Sequence, residues 1–463
     1  MNARFNGYAL AGPAEEDREI THVERGTPCG ELMRRYWQPV ALISELRPDR
    51  PLALRILGED LVLFRDGSGS LGLLHAACSH RGSSLEYGIV SQHGIRCCYH
   101  GWLFAVDGTI LETPGEPPSS PICRKVTQGA YPVREYRGIV FAYMGPSEHL
   151  PGFPVFDTFE QAGVEMVPYA YAYPCNWLQT AENVIDPFHA VFLHTRVSGV
   201  QFSPAFGELP LVVWREMPSG AGIYLFNVRR VGDHLWIRIQ ESFRPNFSQT
   251  GDIWQSAGAE KVFNRVGLSK WIVPIDSTHC RIIGWRYFGP TLDVDARGDR
   301  TQVGLESIDF PGQTPNRDYD NKQLQPGDYE AIVSQGKIAS HAREHLGATD
   351  TGVGMLRYKL RQTIRKLAAD PSLPTPTLGA GGLRASYTQD TVLNIPSAVD
   401  DDLALRRRIG EHVARIVVET DTLHHDLRPA AIRQRILTEL GAEFPTIRLP
   451  LPATAPPFAP EMS

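Results

Sequence analysis

The sixteen residues 81–96 separate two short ligand-bearing segments, Cys78-Ser79-His80 and Cys97-Cys98-Tyr99-His100, and this pairing constrains the first quarter of the chain more than any other feature. Two thiolates can hold one iron of a two-iron cluster while two neutral imidazoles hold the other. The uncharged nitrogen ligands raise the reduction potential above that of an all-cysteine cluster. Gly82 and Gly101 follow the two segments, so backbone amides can approach the cluster sulfurs closely. A centre of this kind passes electrons singly. Two Cys and two His can also close a tetrahedron around zinc. Zinc ribbons rarely space their pairs as Cys-x-His and Cys-x-x-His, which disfavours that reading without removing it.

Around these ligands the chain resembles Rieske-type proteins, and Gly101-Trp102-Leu103-Phe104-Ala105-Val106-Asp107-Gly108-Thr109 resembles their oxygenase branch rather than the respiratory one. The respiratory type needs a second cysteine near Ser83 for a disulfide across the cluster loops, and Ser83 cannot supply it. Cys98 stands where many relatives carry another residue. The resemblance implies a [2Fe-2S] Rieske cluster held by Cys78, His80, Cys97 and His100.

The 463 residues allow two or three domains, and 42 Gly with 36 Pro point to many turns and a strand-rich fold. With 46 basic and 52 acidic residues and a net charge of −6, nucleic acid is not an expected partner. Met1 to Pro13 lacks a basic segment followed by an apolar core, and no run approaches the length of a membrane span, so no membrane association and a cytoplasmic location are expected. Seven cysteines at irregular spacing argue for reduced thiols. Outside the cluster motifs, Cys29, Cys123, Cys175 and Cys280 are expected to be small buried residues.

Three parts are expected: an N-terminal segment over 1–35, an all-β iron-sulfur domain over 36–150 and a catalytic domain over 151–463. Apolar stretches at Leu52 to Phe64 and Tyr131 to Tyr143 predict the small antiparallel sheet domain. Gly222 to Val231, His234 to Glu241 and Cys280 to Phe288 predict further strands, after one helix. Helical periodicity follows at Asp328 to His345, Val353 to Ala369, Leu403 to Val418 and Arg428 to Leu440, giving an α+β class. The family resemblance makes the second domain a helix-grip, START-like one with C-terminal helices. Asp370 to Gly382 reads as a loop, and Pro450 to Ser463 as an extended tail.

A cluster alone makes an electron carrier, so function turns on a second site. His189 and His194 lie five residues apart, after Asp186 and Pro187. On an ideal helix, five residues turn through about 500°, which leaves the two imidazoles roughly 140° apart. The helix must therefore break or wind wider if both are to reach one ion. Two histidines in an aromatic segment can equally be hydrogen-bonded core residues. The run from Asn176-Trp177 through Glu182-Asn183 and Asp186 to His189 and His194 resembles the signature of Rieske non-haem iron ring-hydroxylating oxygenases, especially the phthalate-dioxygenase-like branch. The resemblance makes both histidines ligands of a mononuclear ferrous ion.

Such a site needs one carboxylate for a facial triad. The segment Asp328 to Ile338, with Glu344 to Gly347, Asp350 and Gly352, resembles the stretch around that carboxylate in the same branch, which makes Asp328 the ligand and leaves Asp318 and Asp320 as fallbacks. Read locally, an Asp after Pro326-Gly327 is an ordinary helix cap. His341-Ala342-Arg343-Glu344-His345 fits the pattern of inverted zinc peptidases, although Arg343 and Glu344 suit a solvated face better. His424-His425 reads as an exposed pair.

The resemblance further implies a homotrimer or a multiple of it. Cluster and iron of neighbouring subunits then lie close, with Asp186 bridging His100 and His189 across the interface, and Asp186 and Asn183 are the expected catalytic residues. Asp186 also suits a cap before Pro187. No glycine fingerprint for a flavin or nicotinamide stands out, so an NAD(P)H-dependent reductase or ferredoxin is expected to supply electrons. The expected reaction is hydroxylation or O-demethylation of an aromatic substrate with O2, with Arg229, Arg230 or Arg244 as candidate anchors for a substrate carboxylate. Two alternatives stay open at this point: an oxygenase acting on a quaternary amine or natural product, and a non-catalytic electron carrier.

Overall fold

The computed structural model describes Gly7 and residues 14–161, 163–255, 261–263, 265–289, 292, 298–373, 383–398 and 400–447. Of the loop expected over Asp370 to Gly382, residues 374–382 lie outside these residues, as does the proline-rich tail. No helix among them is long and apolar enough to cross a membrane.

The first part of the chain folds into three small antiparallel sheets. Strands β1 (Trp37–Leu42), β2 (Leu52–Ile56), β3 (Glu59–Arg65) and β4 (Leu71–His75) are followed by four short strands, β5 (Ile89–Ser91), β6 (Gly94–Arg96), β7 (Leu103–Phe104) and β8 (Ile110–Glu112). Strands β9 (Ala130–Tyr131), β10 (Val133–Tyr136) and β11 (Ile139–Tyr143) complete the set. The sheet orders are β1-β11-β10, β2-β3-β4-β9 and β5-β6-β7-β8.

Strand β3 shows why the sequence folds this way. Leu61, Val62, Leu63 and Phe64 are all buried because successive side chains of a strand point to opposite faces and both faces are covered. Leu61 and Leu63 join the main core, whereas Val62 and Phe64 pack in a separate core with Cys78, Cys97 and Trp102. The β2–β3 turn places Leu57 and Gly58 at φ 51° and 78°, as a two-residue hairpin loop requires. Their amides donate to Pro274 O and Ile275 O, both at 2.9 Å, which ties this sheet to the second half of the chain.

That half is built on eight antiparallel strands: β12 (Glu165–Tyr173), β13 (Leu211–Glu216), β14 (Gly222–Val231), β15 (His234–Phe243), β16 (Phe247–Gly251), β17 (Val266–Asp276), β18 (His279–Phe288) and β19 (Gln389–Asn394). The order is β12-β18-β17-β16-β15-β14-β13, with β19 paired to β15. The Trp177–Val184 helix packs over β17 and β18, and the Asp402–Glu419 helix over β14 and β15, which makes the class α+β as expected.

Asn176 caps the first of these helices, accepting from Leu178 N at 3.0 Å, while its amide donates to Thr21 O and Ser277 O. A cap stabilises by about 1 kcal/mol. Trp177, fully buried behind it, would cost about 3–5 kcal/mol if truncated to Ala. Packing therefore fixes this helix, and the cap sets its first residue. Beyond its end, Trp214 Nε1 donates to Ile185 O at 2.9 Å. A Cβ at Gly352 would lie 2.2 Å from that indole nitrogen, so the close approach requires glycine.

Two expectations are corrected here. The helix expected over Asp328 to His345 spans only Asp328–Val333, because Gly336 at φ 102° turns the chain away. Cys123 is partly exposed beside Thr113, whereas Cys29, Cys175 and Cys280 are buried.

Candidate metal centres

The two cluster loops are built alike. Gly82 N donates to Cys78 O at 2.8 Å and Gly101 N to Cys97 O at 3.0 Å, with each glycine in the left-handed region at φ 76° and 73°. Cys78 N and Cys97 N are fixed by Ser83 O and Trp102 O. Cys78 and Cys97 are buried at the base, while His80 and His100 are half-buried, their rings 4.6 Å apart. Trp102 stacks on His80 at 4.5 Å and 9°. Burial, reinforced by the Cys97 thiol, pushes the Cys78 thiol up to about 11 against the pull of the His80 and Arg81 amides. A bound metal cation reverses that cost and takes the thiolate. This donor set fits a mixed cysteine and histidine cluster, with its imidazole side toward the surface. Cys98 is exposed.

The second centre rests on a local change of helical pitch. A single α-turn at His189–Val191 passes into a π-helical segment at Phe192–Arg196, the wider winding that a five-residue spacing demands. The rings of His189 and His194 come to 5.2 Å. Asp328 enters from the other side: its Oδ1 lies 3.6 Å from His189 Nε2 and 3.3 Å from His194 Nε2. Cis ligands held at roughly 2.1 Å from one metal ion stand about 3 Å apart, so the spacing suits a facial set. His189, His194 and Asp328 form one of two groups among the described residues with ligand atoms close enough to share an ion; the other is the more exposed His424, His425 and Asp426.

The surroundings fix which nitrogens face the centre. His194 Nδ1 donates to Gln201 Oε1 at 2.9 Å, which leaves its Nε2 lone pair free. Gln201 in turn donates to Leu193 O and Pro326 O, joining the histidine segment to the Asp328 loop. Asp186 Oδ2 lies 3.6 Å from His189 Nδ1, just beyond hydrogen-bond reach, while Oδ1 accepts from Phe188 N. Asp328 accepts from Asn183 Nδ2 at 3.1 Å and Gln313 Nε2 at 2.6 Å. Burial opposes ionisation of Asp328, but the facing His194 and His189 and the Gln313 amide hold its carboxyl well below the usual range. Burial likewise opposes charge on His189, and Asp186 with Asp328 outweighs it, raising the imidazole. Asp328 does not cap its helix. Glu330 Oε2 takes the Gly327 amide at 2.8 Å, which leaves Asp328 free to face the histidines.

The triad opens into a cavity of roughly 860 Å³, counting its mouth, walled by Phe202, Phe206 and Phe310 among others. Of the three anchor candidates, only Arg229 reaches this cavity. Burial, with Arg238 nearby, pushes Arg229 down to about 9, still charged at neutral pH. Arg230 is bound to Asp402 and Ile395 O, and Arg244 lines a separate depression beside Tyr36 and Pro245. Asp318 caps the Tyr319–Leu324 helix with exposed Asp320 beside it, so neither joins the site. The peptidase-like spacing dissolves because His341 sits on a short 3-10 turn, accepting from Asp17 N, while Glu344 pairs with Arg357. Sequence reasoning missed Gln201 and Gln313, which reach their partners across loops and carry no motif.

Residues 36–137 match the family model for the Rieske [2Fe-2S] domain. Over 90% of its length the chain is 43% identical to the tert-butanol monooxygenase / tert-amyl alcohol desaturase oxygenase subunit of Aquincola tertiaricarbonis, covering 93% of that protein. This chain is a Rieske oxygenase α subunit. It is also 39% identical to the phenoxybenzoate dioxygenase α subunit of Ectopseudomonas oleovorans, over 76% of this chain and 85% of that one. A dicamba monooxygenase crystal structure shares the fold, with a TM-score of 0.54 at 16% identity over 73% of this chain and 98% of that one. As a Rieske oxygenase, the protein carries one [2Fe-2S] cluster and one mononuclear non-haem iron.

Gln201→Leu in this Rieske oxygenase is expected to weaken ferrous binding about 10–100-fold, because His194 then loses the acceptor that fixes its tautomer. Titration of ferrous ion into iron-depleted protein measures this, and unchanged affinity would remove Gln201 from the site.

Proposed function

We propose that the protein is the oxygenase component of a multi-component system that hydroxylates or O-demethylates an aromatic substrate, carboxylated or phenolic, with O2 and electrons from a separate reductase or ferredoxin. Cys78, His80, Cys97 and His100 hold the cluster in the domain over 36–150. His189, His194 and Asp328 hold the iron in the domain over 151–463. When bound, the cluster supplies electrons singly and the iron activates dioxygen. The observation that carries this reading is the convergence of the three ligands at the wall of a Phe-lined cavity.

The remaining residues position and connect. Asn183 and Gln313 hold the Asp328 carboxylate, and Gln201 holds His194. Asp186 serves as the bridge to His100 of a neighbouring subunit in a homotrimer or a multiple of it. Its position supports this, since it keeps 28% of its side-chain surface while Oδ2 faces His189. The seven cysteines, none of them in a disulfide, suit a cytoplasmic setting.

The reading is tested by supplying a reductase and labelled O2 to a panel of aromatic acids and methoxylated phenols. Label in a hydroxylated product, or formaldehyde from a methoxy group, is expected. A second reading, a small non-aromatic substrate, is favoured by the relative named for tert-butanol. Turnover of tertiary alcohols with none of the aromatic panel would select it.

A further inference from the structure

The cavity beside the triad has four cationic side chains in its wall: Arg229, Arg238, Lys270 and Arg286. Three are already committed. Arg238 Nε donates to Asp390 Oδ1 at 2.9 Å, and Arg286 Nε to Asp309 at 3.2 Å. Arg229 gives its two terminal nitrogens to Asn227 Oδ1 and Pro187 O. Lys270 differs, because its ammonium makes no hydrogen bond or ion pair with any described residue. It lies on β17, lines the cavity and is half-buried there.

A cation enclosed in this way is costly unless an anion meets it. Burial lowers the Lys270 ammonium, and the charge that opposes this is Asp328. With iron bound, part of the Asp328 charge would be shared with it, and Lys270 would lose part of that compensation. An anionic group on a molecule in the cavity would restore it. The three phenylalanines supply an apolar wall for the body of such a molecule.

We propose that Lys270 is a specificity-determining residue that selects substrates bearing a carboxylate, holding that group at the sheet wall of the cavity while the rest of the molecule lies toward the triad. This rests on the oxygenase reading and deepens it. It replaces the arginine anchors expected from the sequence with a lysine whose ammonium, unlike the terminal nitrogens of Arg229, donates to no described residue. A carboxylate loses strong hydration on entry, and one charge-assisted contact to an enclosed ammonium recovers much of it.

The test is equilibrium binding by calorimetry to the anaerobic, iron-loaded protein, with benzoate, 4-methoxybenzoate and phthalate each set against its carboxamide. The wild type is expected to prefer the carboxylates by at least about 10-fold. Lys270→Met is expected to weaken them about 30-fold or more while moving the carboxamides less than about 3-fold. Lys270→Gln, which keeps a donor without the charge, should behave as Lys270→Met and serves if that variant does not fold. Lys270→Arg should retain a preference for the acid. Equal affinity for acid and amide in the wild type overturns the proposal, as does failure of every carboxylate to bind or a preference that survives both neutral variants. Iron content of the same samples reports separately on the oxygenase reading. A missing mononuclear iron would sink that reading whatever Lys270 does.

Discussion

Asp328→Ala is expected to lower iron from about three to about two per chain, leave the visible spectrum of the cluster unchanged, and cut oxygen-dependent turnover to below about a hundredth. Both His189 Nε2 and His194 Nε2 face the same Asp328 oxygen. Removing it takes away one ligand and the only negative charge in the set, and strands the Asn183 and Gln313 amides that hold it. Two neutral imidazoles do not retain ferrous ion against water. The cluster should not notice, because Cys78, Cys97 and Trp102 belong to a different core from the residues around the triad helix. His189→Ala should behave the same way. Loss of the cluster spectrum in either variant would contradict the separation of the two centres.

Asp186→Asn should keep both metals and slow electron transfer from the reduced cluster to the iron site at least about 100-fold. The isosteric amide still offers an oxygen to Phe188 N, so the local turn survives. The change removes the charge and the second acceptor oxygen, which here points toward His189 Nδ1. An amide cannot accept from two imidazole N–H groups and also keep the turn. Asp186 is 28% exposed, against 11% for the triad carboxylate, so its outer edge is accessible, as the proposed bridge requires. Rapid mixing of pre-reduced enzyme and substrate with O2, followed by the bleaching and recovery of the cluster absorbance, reads the step directly. A normal rate in this variant would remove the inter-subunit bridge.

How far these sites can be read from sequence depends on where their geometry originates. The cluster segments are legible because each ligand pair is confined to one tight turn, so the spacing brings out two Cys and two His and the family resemblance selects the cluster over zinc. His189 and His194 are half legible: the five-residue spacing announces that a regular helix fails there, and the π-helical turn at Phe192–Arg196 is how it fails. Asp328 is the opposite case. Read locally it is a helix cap, and only the family resemblance singles it out, because the residue that actually caps, Glu330, sits two positions on. Three of the eight strands of the large sheet, β14, β15 and β18, are legible from their apolar runs, β14 to the residue, whereas β12, β13, β16, β17 and β19 are not. The expected helix from Asp328 is too long because apolar periodicity continues past Val333, where the helix ends and the chain runs on to the left-handed Gly336. Gln201, Gln313 and Lys270 were invisible since each acquires its role from a partner or cavity that only the folded chain assembles.

The central claim, that one chain holds both an electron-delivering cluster and a separate oxygen-activating iron, is tested most directly by metal analysis. Anaerobic quantification of iron and acid-labile sulfide would be paired with the paramagnetic resonance spectrum after one-electron reduction. About three irons and two sulfides per chain with a Rieske-type signal are expected. Two irons that stay two after ferrous reconstitution, or zinc without sulfide, would contradict it.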